Sequence, residues 1–391
     1  MSEVAERLEE LRESGLHRRL RLIEGPQGPR VQLDGREVLL LCSNDYLGLA
    51  AHPRGREAAA EAALAWGAGA GASRLISGNM SPHRRLEERL AAFKGYEAAL
   101  LFGSGYLANV GTISALAGRG AVVFSDELNH ASIVDGCRLA RAETFVYRHG
   151  DSEHLAWGLR EAEGRGSLIV SDGVFSMDGD TAPLEDLVRL AREHGCRLMI
   201  DEAHATGALG PGGRGSVAAA GLSAEVDLVV GTLGKALGSY GAYVCASAEL
   251  RELLLNTARS FIFSTAPPPP TLAAALASLE LLEAEPQRVE RLRANAAALR
   301  EGLLAEGLAA GGGASQIVPL AVGVAEPTMA LCERLLELGV FAQGIRPPTV
   351  PPGSSRLRFS VIATHDPDEL REAARLAGEA ARELTAVPLA A

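Results

Sequence analysis

Aromatic residues are scarce. Phe, Tyr and Trp make up 4% of the 391 residues, too few for an aromatic-rich β-sandwich core. A long basic block is also missing. The formal net charge is −11, and the arginines are mixed with Glu and Asp on helical stretches, as on solvated faces. This excludes a protein that binds nucleic acid through its phosphate backbone. No uninterrupted apolar run reaches the roughly 20 residues of a membrane-spanning helix. The start, MSEVAERLEELRESG, is acidic and amphipathic, unlike a secretory signal. The five cysteines (Cys42, Cys137, Cys196, Cys245 and Cys332) form no C-x-x-C pair. They read as small core residues of a chain kept in a reducing cytoplasm.

Apolar residues are plentiful, at 47%, and there are 44 glycines. A chain of this length holds two or three domains at roughly 100–200 residues each. Val4, Leu8, Leu11 and Leu16 recur near the helical period, which predicts a helix over 2–21. VQLDGREVLLL (31–41) predicts a hairpin turning at Asp34 and Gly35. From about residue 45, seven short apolar runs alternate with helical patterns: AALLF (98–102), AVVF (121–124), TFVY (144–147), SLIV (167–170), RLMI (197–200), DLVV (227–230) and AYVC (242–245). Continuous apolar strands between helices imply an α/β fold with a mostly parallel seven-stranded sheet, buried on both faces. The proline run 267–270 closes this region. Beyond it a helical stretch breaks at Pro286. Strands over 317–322, 340–345 and 356–361 and helices over 328–338 and 366–384 then make a smaller C-terminal α/β domain, with Gly311–Gly313 as a flexible connector. The expected division is 1–44, 45–270 and 271–391.

In a parallel sheet, ligand-facing residues lie just past the carboxyl ends of the strands. After RLMI come Asp201 and His204. After DLVV comes GTLGK, with Thr232 and Lys235. Ser171, Asp172 and Ser176 follow SLIV, and Asn129 and His130 follow AVVF. Gly105 and Tyr106 open a helix after AALLF. Taken singly, each residue has an ordinary structural use as a turn former, cap or surface charge. Together they meet the needs of pyridoxal phosphate (PLP). Lys235 would form a Schiff base with the aldehyde, and Asp201 would keep the pyridine nitrogen protonated. His130 would stack on the ring, with His204 and Ser176 near the phenolic oxygen. Gly105, Tyr106 and Thr232 would serve the phosphate at a helix start. Rival chemistries lack their patterns. Lys235 is followed by Ala236, not Ser or Thr, as a P-loop requires. Gly67, Gly69 and Gly71 alternate but miss the G-x-G-x-x-G of a dinucleotide site, and no G-x-S-x-G is present. Asp201 and His204 have no further ligand pair for a metal.

At these residues the sequence resembles the α-oxoamine synthase family of fold-type I PLP-dependent transferases. The resemblance rests on SNDYLGL (43–49), GASRLISGN (71–79), FSMDGDTAPL (175–184), DEAHATGALG (201–210), GTLGKALGSYGAY (231–243), FIFSTAPPP (261–269) and RPPTVPPGSSRLRFS (346–360). It implies joining an amino acid to an acyl thioester with loss of CO2. L-alanine is the favoured amino acid, and CoA or an acyl-carrier protein is the acyl carrier. It implies further that Arg358 grips the amino-acid carboxylate, that Thr349 and Asn44 lie by the substrate, and that Arg18 meets the acyl donor. Ser264 and Thr265 would reach the phosphate across a homodimer interface. Family members often carry Glu where Asp172 stands. Members that use glycine, another PLP class, and a non-catalytic α/β binding protein remain the alternatives.

Overall fold

The computed structural model describes residues 2–384, and these form two compact units. The larger holds Leu49–Ser176 and Asp180–Glu290. At its centre are seven strands: β1 (Ala98–Phe102), β2 (Val122–Asp126), β3 (Glu143–Tyr147), β4 (Gly166–Asp172), β5 (Arg197–Asp201), β6 (Leu228–Thr232) and β7 (Ala242–Ala246). They lie in the order β1-β7-β6-β5-β4-β2-β3. All neighbours are parallel except β7, which is antiparallel to both β1 and β6. The seven apolar runs are these seven strands. One face presents alternate residues, among them Leu100, Val123, Leu168, Met199, Leu228 and Val244. These are buried against Ile113, Ile133, Leu254 and Phe261 of the covering helices. The other set, including Leu101, Phe124, Ile169, Ile200, Val229 and Tyr243, is buried as well. Each such aliphatic side chain contributes about 1.5–3 kcal/mol on burial, so neither face has reason to alternate with polar residues.

Two details fix the carboxyl edge of this sheet. Gly231 sits directly across from Tyr243, where a Cβ would come within 2.3 Å of the tyrosine ring; only glycine leaves room. Asp201 and Glu202 are adjacent at the end of β5 and serve different partners. Glu202 is fully buried and pairs with Lys94 of the helix Ser81–Lys94. It also accepts from Ser216 Oγ at 2.9 Å and the Val217 N–H at 2.7 Å. A buried ion pair of this kind holds because its remaining lone pairs are also satisfied.

The smaller unit comprises, of the described residues, those up to Gly48, Met177–Gly179 and those from Arg291 onward. Residues 2–44, expected to stand apart, belong to it: Val340–Phe341 pairs in parallel with Leu39 and Leu40. The hairpin turns where expected, with φ of 49° at Asp34 and 79° at Gly35, as a type I′ turn demands. The N-terminal helix is shorter than its apolar period predicts and spans Glu3–Glu13. Gly15 takes φ +66°, and the N–H groups of Leu16 and His17 both reach Leu11 O at 2.8 Å, a left-handed stop that leaves Arg18 outside the helix. A second sheet places Ser355–Ser360 between Ile317–Gly323 and Gln343–Ile345, antiparallel to both. Gly311–Gly313 is not a free connector. The Gly311 N–H donates to Pro319 O at 2.8 Å and the Gly313 N–H to Gly179 O at 3.4 Å. Among the described residues, no helix is long and apolar enough to cross a membrane.

Candidate active site

In the larger unit, the segments leaving β1, β2, β4, β5 and β6 line a cavity of about 190 Å³. The eight strand-end residues to which the sequence reading gives a cofactor role line it: Gly105 and Tyr106, His130, Ser176, Asp201 and His204, and Thr232 and Lys235; Asp172 lines it too, while Asn129 and Ser171 do not. The Lys235 amine lies 2.7 Å from His204 Nε2. Asp201 accepts from Asn109 Nδ2 at 2.6 Å and from the Ala203 N–H at 2.8 Å. His130 caps the helix Ala131–Ala140. Its Nδ1 lies 2.7 Å from Ser132 Oγ, which leaves Nε2 as the ring's remaining polar atom. Gly105 and Tyr106 start the helix Gly105–Leu116, capped by the Ser104 side chain. Their N–H groups precede the first helical carbonyl that could accept them.

Two side chains are used differently from the expectation. The Tyr106 hydroxyl donates to Asp135 at 2.6 Å, so only its backbone N–H is offered to an anion. The Thr232 hydroxyl donates to Gly241 O and accepts from the Gly234 N–H, both at 3.1 Å; it must rotate to donate into the cavity. The structure adds Asn109 and Ser132, which the sequence reading missed. Asn109 links Asp201 to Ser132, with Nδ2 2.9 Å from Ser132 Oγ, and its Oδ1 is buried without a partner. The available signal was a buried-looking amide within the apolar stretch YLANVGTI.

Asp172 and Asp201 are register partners on adjacent strands. Burial, and then the neighbouring Asp201 charge, push the Asp172 carboxyl well above the usual range. Its Oδ2 accepts the His130 N–H at 2.9 Å. Burial lowers the pKa of His130, opposed by Asp201 and assisted by Lys235, so the ring is uncharged at neutral pH. The cavity thus combines an amine, a carboxylate held by two donors, a neutral imidazole and a helix start. The orphaned Asn109 oxygen shows that its polar lining is made for more than the chain itself. This donor set fits PLP.

The other candidates lie elsewhere. Ser264 and Thr265 do not line the cavity; Thr265 bridges to Ser73. In the smaller unit, Arg358 is buried, and its Nη2 donates to Asn44 Oδ1 at 3.3 Å and to the Tyr46 hydroxyl at 3.5 Å. In that unit Arg18 and Thr349 border a cavity of about 850 Å³, with Arg18 Nη2 3.5 Å from Thr349 Oγ1.

With this fold and pocket, the chain belongs to the aminotransferase class I and II family, whose model matches residues 36–376. It has the architecture of the fold-type I transferases. More narrowly, it is 54% identical over 390 residues to the 8-amino-7-oxononanoate synthase of Citrifermentans bemidjiense, covering 99% of this chain and 100% of that one. To the enzyme of the same name from Geobacter sulfurreducens it is 56% identical over 384 residues, 97% of this chain and 98% of the other. Among solved structures, a serine palmitoyltransferase from S. paucimobilis with a bound PLP–myriocin aldimine superposes with a TM-score of 0.93 at 34% identity, over 99% of this chain and 98% of that one.

Proposed function

We propose that the chain is a PLP-dependent acyltransferase of biotin biosynthesis. It condenses L-alanine with a pimeloyl thioester of CoA or acyl-carrier protein, giving 8-amino-7-oxononanoate, CO2 and the free thiol. The observation that carries this reading is the meeting of Lys235, Asp201, His130 and His204 at one cavity, in a chain that matches an 8-amino-7-oxononanoate synthase over 99% of its length. PLP, when bound, supplies an aldehyde that combines with amines and a ring that draws electron density from the carbon beside the nitrogen.

Lys235 would hold that aldehyde between turnovers. With its amine free, it would take the Cα proton of alanine and return a proton to the product carbon. His204, 2.7 Å away, orients the amine. Asp201 would keep the ring nitrogen protonated. His130 would stack on the ring, and its Nε2 would also be available to polarise the thioester carbonyl. Ser176 and His204 would serve the phenolic oxygen. The N–H groups of Gly105 and Tyr106 and the rotated Thr232 hydroxyl would bind the phosphate.

Arg358, beside Asn44, grips the alanine carboxylate by a planar two-point contact. That grip would select which bond to Cα breaks. Arg18 and Thr349 meet the acyl donor. The working form is a cytoplasmic homodimer in which Ser264 and Thr265 reach the phosphate bound by the partner. Ile76 and Phe263, 80% and 70% exposed, flank the Ser73–Thr265 bridge and offer apolar surface for that contact.

Two measurements test this reading. CoA release from pimeloyl-, acetyl- and succinyl-CoA, each with alanine and with glycine, is expected to be fastest with pimeloyl-CoA and alanine. A preference for glycine would make the protein a 2-amino-3-ketobutyrate CoA ligase or a 5-aminolevulinate synthase, and a colourless, inactive protein would make it a non-catalytic binder. Arg358→Lys should raise the KM for alanine about 10–100-fold, the worth of a charged hydrogen-bonded contact, with PLP absorbance intact. An unchanged KM would remove Arg358 from the carboxylate site.

A further inference from the structure

Outside the cavity, and unused by the reaction as derived, His149 stands between two carboxylates. Its Nδ1 lies 3.0 Å from Asp126 Oδ1 and its Nε2 2.8 Å from Asp180 Oδ2. A neutral imidazole carries one N–H, so it can donate to only one of two ionised acceptors. Two simultaneous donations require the imidazolium. The hydrogen bonds it donates to Asp126 and Asp180, in that order, raise its pKa to about 10 against a lowering by burial.

We propose that His149 is a positioning residue for the cofactor pocket: as an imidazolium it ties Asp126 to Asp180 and thereby fixes the two segments that present His130 and Ser176 to PLP. The inference rests on the reading that this cavity holds PLP. The first segment starts at Asp126, the last residue of β2. Its Oδ1 also accepts from the Leu128 N–H at 2.9 Å and its Oδ2 from the Gly150 N–H at 3.0 Å. Asn129 follows, donating to Val170 O at 2.9 Å and accepting from the Asp172 N–H at 2.8 Å. His130 comes next. The second segment is the small hairpin closed by Asp180. Its carbonyl accepts the Phe175 N–H at 3.0 Å, and Val174 bridges to Thr181. Ser176 is the residue after Phe175. The Phe175 ring meets His149 edge-on, with centroids 4.4 Å apart. The groups facing the imidazole are therefore Asp126, Asp180 and the Phe175 ring, while Glu127 accepts the His149 backbone N–H at 2.9 Å.

The sign of the pH effect follows. The raised folded pKa means that the double tie is complete at low and neutral pH and loses one N–H as pH rises through about 10. The full-length protein, dialysed free of PLP, is titrated with PLP by visible absorbance between neutral pH and strongly alkaline pH, and thermal melts of the apoprotein are recorded alongside. Wild type is expected to lose about tenfold in PLP affinity as the second N–H titrates, a change worth one pKa unit. His149→Gln should bind PLP about tenfold more weakly at neutral pH and lack that alkaline fall. Asp180→Asn leaves one carboxylate on the imidazole and should move the fall to lower pH; it decides the matter even if His149→Gln does not fold. Lys235 is common to all three proteins, so its own titration cancels in the comparison. Two results would overturn the assignment. One is wild-type affinity in His149→Gln with only a lower melting temperature, which makes the residue structural. The other is an alkaline fall left in place by both substitutions. Failure of wild type to bind PLP at all would instead strike the proposed function.

Discussion

Lys235→Ala is expected to abolish the visible absorption that PLP acquires on joining the amine. It should also lower turnover by more than the about 10²–10⁴-fold that one positioned acid–base group contributes, because the proposed reaction gives this one amine both the aldehyde to anchor and the Cα proton to move. Lys235 lies in the loop after β6, its amine against His204, and Lys94, its neighbour in kind within this unit, is committed to Glu202. Lys235→Arg keeps a cation but has no deprotonated form to offer, so it should behave like the alanine variant. Absorbance spectra of the purified variants and a CoA-release assay measure both effects. A coloured, active Lys235→Ala protein would place the cofactor elsewhere.

The second large effect is expected at Asp201. Asp201→Asn keeps the shape of the side chain and removes its charge, so in the proposed arrangement the ring nitrogen would lose its anion. Turnover should fall about 10²–10³-fold, as when one preorganised electrostatic partner of a transition state is removed, and PLP should bind more weakly. The neighbouring strand complicates the outcome in an informative way. Part of what raises the Asp172 carboxyl is the charge of Asp201. Burial still raises the Asp172 carboxyl in this variant, but neutralising Asp201 removes the second cause, so Asp172 is expected to release its proton more readily and to supply part of the lost charge. The double variant with Asp172→Asn should therefore lose activity that the single variant retains. Steady-state rates of the two variants settle this, and wild-type turnover in Asp201→Asn would contradict the electron-sink role.

What the sequence made legible follows a physical division. Strands buried on both faces write themselves as unbroken apolar runs, which made six of the seven readable; the edge strand β3, exposed at Glu143, Thr144 and Val146, was readable from its β-branched and aromatic residues. The residues just past the strands could be picked out as site candidates because a parallel sheet gathers its carboxyl ends at one edge. Hidden were the contacts that depend on chain segments far apart. Nothing local in residues 39–40 announces pairing with 340–341, so the N-terminal segment could not be assigned to its unit. Asn109 sits in a helix whose composition reads as core, and only the fold turns its amide toward Asp201. The tie through His149 joins residues 126, 149 and 180 from three separate stretches. The length of the first helix was misjudged for a local reason: apolar spacing continues to Leu16, but Gly15 adopts a left-handed conformation that ends the hydrogen-bond ladder two residues after Glu13.

The anchoring of Glu202 has a consequence for the empty protein. Asp201 shares a peptide bond with a residue riveted to Lys94, Ser216 and Val217, and none of those partners comes from the vitamin. In the proposed arrangement the partner of the pyridine nitrogen is thus tethered by contacts within the chain alone. Dialysis that removes the coenzyme should therefore leave Asp201 in place and allow uptake to be repeated without refolding.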